Sequence, residues 1–231
     1  MIFAPRAAKI ATLLEHFGIE ARRVADVGAG TGLMLAQLRN YLTDTEFLAV
    51  EPTQEMADEC RRQGFAVYQG FADEAAQRVE FAGTVDLAMT FEVIEHVISP
   101  VDFLNSLANL VRPGGYILFT GLCGSGFDIQ LLEEKSNAIC PPHHLNFITR
   151  KGVKLLLDQC GLEEVMFATP GVLDVDIVRN ALLKDKDAVS NMFLRSLMLN
   201  SDESVLNNLQ SFLTDNHLSS HMWVVARKPL V

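Results

Sequence analysis

The chain is short of cysteine and of basic residues. Cys60, Cys123, Cys140 and Cys160 are its four cysteines; they lie far apart and form no C-x-x-C pair. That spacing excludes a disulfide framework or a zinc knuckle and fits reduced thiols in the cytoplasm. Nineteen Lys and Arg stand against 29 Asp and Glu, a formal net charge of −10 without a basic run. Such a balance argues against nucleic acid or an anionic membrane surface as partner. Long apolar runs are missing too. The longest uncharged stretch, Pro113 to Phe127, is interrupted by five glycines and is too short to be inserted across a membrane. Near the N-terminus Arg6, Lys9 and Glu15 break up any signal-peptide core. No repeat and no low-complexity tract is present. What the chain does have is apolar content, 49% over 231 residues, enough to fill the core of one large domain.

Short apolar runs alternate with helical patterns. Strands are expected at Arg23–Gly28, Glu46–Glu51, Ala66–Gln69, Val85–Phe91 and Tyr116–Thr120. Helices are expected between them at Leu33–Leu42, Gln54–Gln63, Asp73–Arg78 and Val101–Val111. Buried strands separated by helices predict an α/β fold with a parallel sheet covered on both faces. Arg150–Cys160 reads as a helix closed by Gly161, followed by strands at Val165–Ala168 and Met222–Ala226. Roughly fifty residues between those strands exceed what a connection needs. They carry helical patterns, such as Val175, Ile177, Val178 and Leu182, then Met192, Phe193, Leu197 and Met198. The expectation is one domain, 1–231, with a helical insertion at 171–219. If the sixth strand is parallel, the insertion starts at the ligand-binding carboxyl edge, as a lid, a specificity element or a homodimer surface. The alternative is a helical pad that only completes the core.

Asp26-Val27-Gly28-Ala29-Gly30-Thr31-Gly32 joins the first strand to the first crossover helix. Glycines there let the chain turn sharply and bring backbone amides toward a ligand. Leu33 stands where the dinucleotide fingerprint wants a third glycine or alanine, which argues against a nucleotide-dependent oxidoreductase. Glu51 ends the second strand about twenty residues on, where a carboxylate can accept hydrogen bonds from two ribose hydroxyls. Pro52 follows and fixes the departing chain.

These residues, with Phe91-Glu92-Val93-Ile94-Glu95-His96-Val97, Arg112-Pro113-Gly114-Gly115 and His143-His144-Leu145-Asn146-Phe147, occur in an order that resembles the class I S-adenosylmethionine (SAM)-dependent methyltransferases. The similarity is to the branch containing ubiquinone-biosynthesis O-methyltransferases and covers about residues 20 to 170. It implies a Rossmann-like, doubly wound, seven-stranded sheet, mostly parallel with the last strand antiparallel. SAM is the implied cofactor and a small molecule the implied methyl acceptor. Carried over to this chain, Gly28, Ala29, Gly30 and Gly32 would line the methionine part of SAM, Asp26 would lie below it, and Glu51 would hold the ribose. Phe71, Ala72 and Asp73 would flank adenine, although Phe71 stands where the family often has aspartate. Phe91 and Glu92 would touch the cofactor from the other side.

Glu92 and His96 are four residues apart and would share a face on a helical turn, with Glu92 either orienting His96 or forming a fold-stabilising pair. Cys140, His143 and His144 are too cramped for one tetrahedral metal site, so no metal is expected. His143 or His144 is a candidate base for a hydroxyl acceptor, against the alternative of a histidine bonded to its own loop. No residue fixes whether oxygen, nitrogen or carbon is methylated. The rival to an enzyme is a scaffold that keeps the fold without catalysis.

Overall fold

The computed structural model describes residues 3–230. In chain order the elements are α1 (Phe3–His16), β1 (Arg23–Val27), α2 (Leu33–Leu38), β2 (Glu46–Val50), α3 (Gln54–Arg62) and β3 (Ala66–Tyr68). Then come α4 (Ala72–Ala76), β4 (Val85–Phe91), α5 (Pro100–Leu110), β5 (Val111–Leu122), α6 (Phe127–Leu132) and a short 3-10 turn, Glu133–Lys135. The chain continues with α7 (Arg150–Gln159), β6 (Glu163–Ala168), α8 (Asp174–Lys184), α9 (Met192–Asn200), α10 (Glu203–Asp215) and β7 (His221–Arg227).

The seven strands form one sheet in the order β3-β2-β1-β4-β5-β7-β6. β7 runs antiparallel to both of its neighbours, β5 and β6, and the other pairs are parallel. This is the Rossmann-like α/β sheet expected, last strand included. The carboxyl ends of β1 to β6 therefore lie along one edge, and β7 starts there. Its first residue, His221, pairs with Leu122 at the end of β5. The order reverses beside β1, which has β2 on one side and β4 on the other, the place where open α/β sheets receive ligands.

Residues of successive parity feed opposite faces of the sheet. Ile117, Phe119 and Val224 pack with Leu104, Leu107 and Leu157 on one side. Leu118, Trp223 and Val225 pack with Ile10, Leu35 and Leu38 on the other. A third cluster joins Leu132 of α6 to Val178 and Leu182 of α8, Met198 of α9, and Leu206 and Leu213 of α10. The helices between β6 and β7 thus carry apolar contacts of their own.

Capping explains where several helices start. Ser99, Thr149, Asn191 and Asp202 accept from the amides of Asp102, Gly152, Leu194 and Val205 at 3.2, 3.1, 3.0 and 3.1 Å. Pro100 fills the first turn of α5, where its missing N–H costs nothing. Gly161, at φ 63°, closes α7 as expected. The differences from the sequence reading are local. α2 stops at Leu38 rather than Leu42, and β5 begins at Val111 rather than Tyr116. The longer β5 arises because Val111 pairs with Val85 ahead of a register shift.

Candidate active site

The turn after β1 is built on backbone bonds to β2. The amides of Gly28 and Ala29 donate to Val50 O at 2.9 and 3.3 Å, and Gly32 N donates to Ala29 O at 3.0 Å. Gly28 has φ 75°, and a Cβ there would lie 2.8 Å from Val93 Cγ2. Both the conformation and the close approach of Val93 require glycine. Gly32 starts α2 in the left-handed region, φ 76°, with Cys60 Sγ 3.0 Å from where its Cβ would be.

Glu51 is buried at the end of β2. Its Oε2 accepts from Gly30 N at 2.8 Å and its Oε1 from Thr53 N at 2.9 Å. The carboxylate thus ties the glycine turn to the start of α3, and each oxygen keeps a second lone pair for a ligand hydroxyl. Asp26, on β1, is buried below the turn. Its Oδ1 has no hydrogen-bond partner among the described residues. Burial, reinforced by the neighbouring Glu51 charge, pushes its carboxyl up to about 7.

A cavity of about 630 Å³ opens along this edge, within the range of small-ligand and cofactor sites. Gly28, Pro52, Phe71, Ala72, Asp73 and His96 all line it, as does Val50 on the other side of Glu51. Phe71 is well exposed at the rim, and its amide donates to Glu74 Oε2 at 3.0 Å. Val97, Ile98 and Phe103 line the cavity too; in the sequence only Val97 stands out, within Phe91–Val97, and Ile98 and Phe103 carry no local signal. Asp26, Ala29, Gly30, Gly32, Glu51, Phe91 and Glu92, which the resemblance assigns to the cofactor, are not on its wall.

Glu92 departs from expectation. Its φ of 53° is rare for a residue with a side chain, and such outliers gather at functional sites. The segment after β4 is a turn rather than a helix, so Glu92 and His96 do not share a helical face. Glu92 Oε1 instead accepts from Thr120 Oγ1 at 2.7 Å, His221 Nε2 at 2.7 Å and Arg6 Nη2 at 3.3 Å. Burial pushes this carboxyl up, but the bonds from His221 and Thr120 and the Arg6 charge more than offset it, and it ionises below the usual range. Arg6 also lies over the Phe91 ring at 5.5 Å. Arg6, Glu92 and His221 border a second cavity of about 370 Å³, closed by residues at both ends of the segment between β6 and β7.

His96 Nδ1 bonds the carbonyl of His143 at 2.7 Å. His143 itself is exposed. His144 Nδ1 lies 2.7 Å from Ala138 O and 3.3 Å from Cys140 Sγ. Neither histidine is on the wall of the two cavities described. His144 instead groups with Glu95 and His96, whose ligand atoms lie within 4.8 Å of one another, a spacing that a metal ion could use. The segment around them has a clear structural task. Glu95 O accepts the amides of Leu145 and Asn146, and the Asn146 amide group donates to Ile94 O and Val97 O at 3.2 and 2.6 Å. That clamp fixes the turn carrying Val93 and His96.

A family model described as a methyltransferase domain matches residues 4–166. The chain is 32% identical over 122 residues to a ubiquinone biosynthesis O-methyltransferase of Burkholderia multivorans, covering 49% of this chain and 50% of that one. With the Burkholderia thailandensis protein of the same name it shares 31% identity over 164 residues, covering 61% and 68%. The chain thus spans about half the length of most of the curated relatives it matches. In structure it is similar to a SAM-dependent methyltransferase from Archaeoglobus fulgidus, with TM-score 0.61, 16% identity and coverage of 96% and 94%. It is also similar to a geranyl diphosphate C-methyltransferase from Streptomyces coelicolor, with TM-score 0.61, 12% identity and coverage of 96% and 79%. At such identities the structural likeness speaks for the fold, and the family match for descent. No described helix is long and apolar enough to cross a membrane. The chain belongs to the methyltransferase-domain family of class I enzymes, whose cofactor is S-adenosylmethionine.

Proposed function

We propose that this chain methylates a hydroxyl oxygen of a small molecule, with SAM held in the larger cavity. The observation that carries this reading is a cavity lined by Val50 and Pro52, with the buried Glu51 carboxylate between them tied to a glycine turn too tight for a side chain. The residues fit the cofactor. Glu51 keeps free lone pairs for ribose hydroxyls, Phe71 to Asp73 and Ile98 offer two sides for a flat base, and Asp26 has an unpartnered oxygen beneath a site for a cation. When bound, SAM supplies an electrophilic methyl group on a sulfonium leaving group. Left to the chain are alignment, exclusion of water and removal of the acceptor's proton. The oxygen acceptor is favoured by the curated relatives, which carry the name O-methyltransferase.

The smaller cavity, bordered by Glu92, is the place we assign to the acceptor. Its wall from the 171–219 segment makes that segment a cover that shapes acceptor choice. The test is calorimetric binding of SAM to the full chain and to Glu51→Ala, followed by transfer of labelled methyl from SAM to phenol, catechol and 4-nitrophenol. Tight binding lost in Glu51→Ala, with label entering a phenol, supports the reading. Unchanged affinity in a folded Glu51→Ala variant overturns the cofactor assignment. Binding without label transfer to any phenol overturns the acceptor assignment and favours the scaffold alternative.

A further inference from the structure

Glu92 draws three distant elements onto one oxygen: Thr120 from β5, His221 from the start of β7 and Arg6 from α1. A carboxylate can only accept, so the hydrogen bond at 2.7 Å places a proton on His221 Nε2. In the neutral imidazole the other nitrogen, Nδ1, then carries a lone pair. Nδ1 makes no hydrogen bond among the described residues, and His221 stands on the wall of the 370 Å³ cavity. Val172, Leu173 and Ile177 give that wall apolar surface.

We propose that His221, held through Nε2 by Glu92, is the base that accepts the hydroxyl proton of the methyl acceptor on Nδ1, and that the acceptor lies in the cavity bordered by Val172, Leu173 and Ile177. This rests on the hydroxyl-acceptor reading above. A carboxylate that orients a histidine and stabilises its charged form is a recurrent catalytic arrangement. Here the acceptor oxygen makes the new C–O bond with its own electron pair, and the pair of the broken C–S bond stays with sulfur. The O–H proton passes to Nδ1, producing an imidazolium against the Glu92 carboxylate, and later leaves to water.

The position of His221 is fixed from behind. Asp174 Oδ1 accepts Ser220 N at 2.7 Å, and Asp174 Oδ2 accepts Ser219 Oγ at 2.5 Å and Gln210 Nε2 at 2.9 Å. Both serines and Asp174 are buried. The backbone entering β7 is therefore anchored to Asp174 of α8, which also lines that cavity, and through Gln210 to α10.

His221→Gln tests this, because its amide N–H can still donate to Glu92 while no base remains. Two measurements are made on the full chain. Methyl transfer is followed on 4-nitrophenol, catechol and phenol, acceptors of rising basicity, with SAM affinity measured alongside. Ring nitrogen NMR of His221 in the SAM-free wild type reports which nitrogen carries the proton. The expected result is SAM affinity within about twofold of wild type. Turnover of phenol should fall about a hundredfold or more, with a much smaller loss for 4-nitrophenol, which ionises without help. Nε2 should bear the proton in the neutral ring. An equal loss for all three phenols, or a proton on Nδ1, overturns the proposal. A SAM affinity that falls with turnover also overturns it, by assigning His221 to the cofactor. A wild type that binds SAM but methylates no phenol defeats the hydroxyl reading itself, a result distinct from either. If the glutamine variant fails to fold, His221→Asn and the wild-type NMR decide.

Discussion

Asp26 makes the buried carboxyl under the glycine turn a measurable quantity. It sits on β1 between Ala49 of β2 and Met89 of β4, cut off from water, with one oxygen unpartnered among the described residues. Its carboxyl is raised from 3.8 to about 7, first by burial and then by Glu51. A raised carboxyl favours the protonated folded state. The unfolded chain gives up its proton near 3.8 and the folded one only near 7, so folding stability drains away between those values as pH rises. About three units at about 1.36 kcal/mol each give a penalty of about 4 kcal/mol, complete above about pH 7. Asp26→Asn keeps the shape without the charge, at a cost of about 1 kcal/mol if its amide finds no partner. The variant should therefore be more stable than wild type by about 2–4 kcal/mol at about pH 8, and no more stable at about pH 4. Denaturant melts of both proteins across this range isolate the Asp26 term, because every other carboxyl is common to the two. A difference between variant and wild type that stays constant from pH 5 to pH 8 would show that Asp26 does not titrate there in the folded protein. SAM carries a net positive charge and should favour the ionised carboxylate, so wild-type affinity should climb through pH 7 while that of Asp26→Asn stays level.

Other substitutions reach the neighbouring parts of the site. Glu51→Ala should weaken SAM by about 1.5–3 kcal/mol, read by calorimetry, as charge-assisted hydrogen bonds to the ribose are lost. Gly28→Ala forces a side chain into φ 75° and against Val93, and should lower stability by about 1–3 kcal/mol in denaturant melts while abolishing SAM binding. Asp174→Ala strips the partners from Ser219, Ser220 and Gln210 and should destabilise by about 3 kcal/mol, with faster amide exchange and proteolysis across 171–219 than in the sheet. Because Ser219, Ser220 and Gln210 hold the Asp174 carboxyl below its ordinary value, although burial opposes them, its contribution is present above pH 4 and lost on further acidification.

The central sheet was legible because its signals are local. Apolar runs such as Val85 to Phe91 and the glycine turn from Gly28 to Gly32 state their structure within a few residues. Glu51 could be placed beside the glycine turn because parallel neighbours end at the same edge, and Val27 does pair with Val50. Boundaries were less legible where tertiary pairing decides them. Val111 reads as the end of a helix, with Arg112 to Gly115 as the turn before the next strand, yet Val111 finds Val85 and the strand starts early. α10 carries exposed Val205 and Phe212 next to buried Leu206 and Leu213, which blurs its apolar stripe.

The smaller cavity was illegible for a different reason. His143 and His144 draw the eye as adjacent histidines, whereas His221 is one polar residue opening an apolar strand. Its partner is 129 positions away, and no short-range pattern encodes such a pair. What brings them together is the topology. β7 enters antiparallel at the carboxyl edge beside β5, so its first residue meets the last residues of β4 and β5, where Glu92 and Thr120 stand. In an all-parallel sheet the corresponding strand would present its final residue there, and the 171–219 segment would not lead directly into the site. The antiparallel last strand lets a single chain segment first border the smaller cavity, between β6 and Ser220, and then bring a histidine to its wall. On the proposed roles, acceptor choice and proton removal change together through residues 171–221, while the glycine turn and Glu51, on the other half of the sheet, stay as they are.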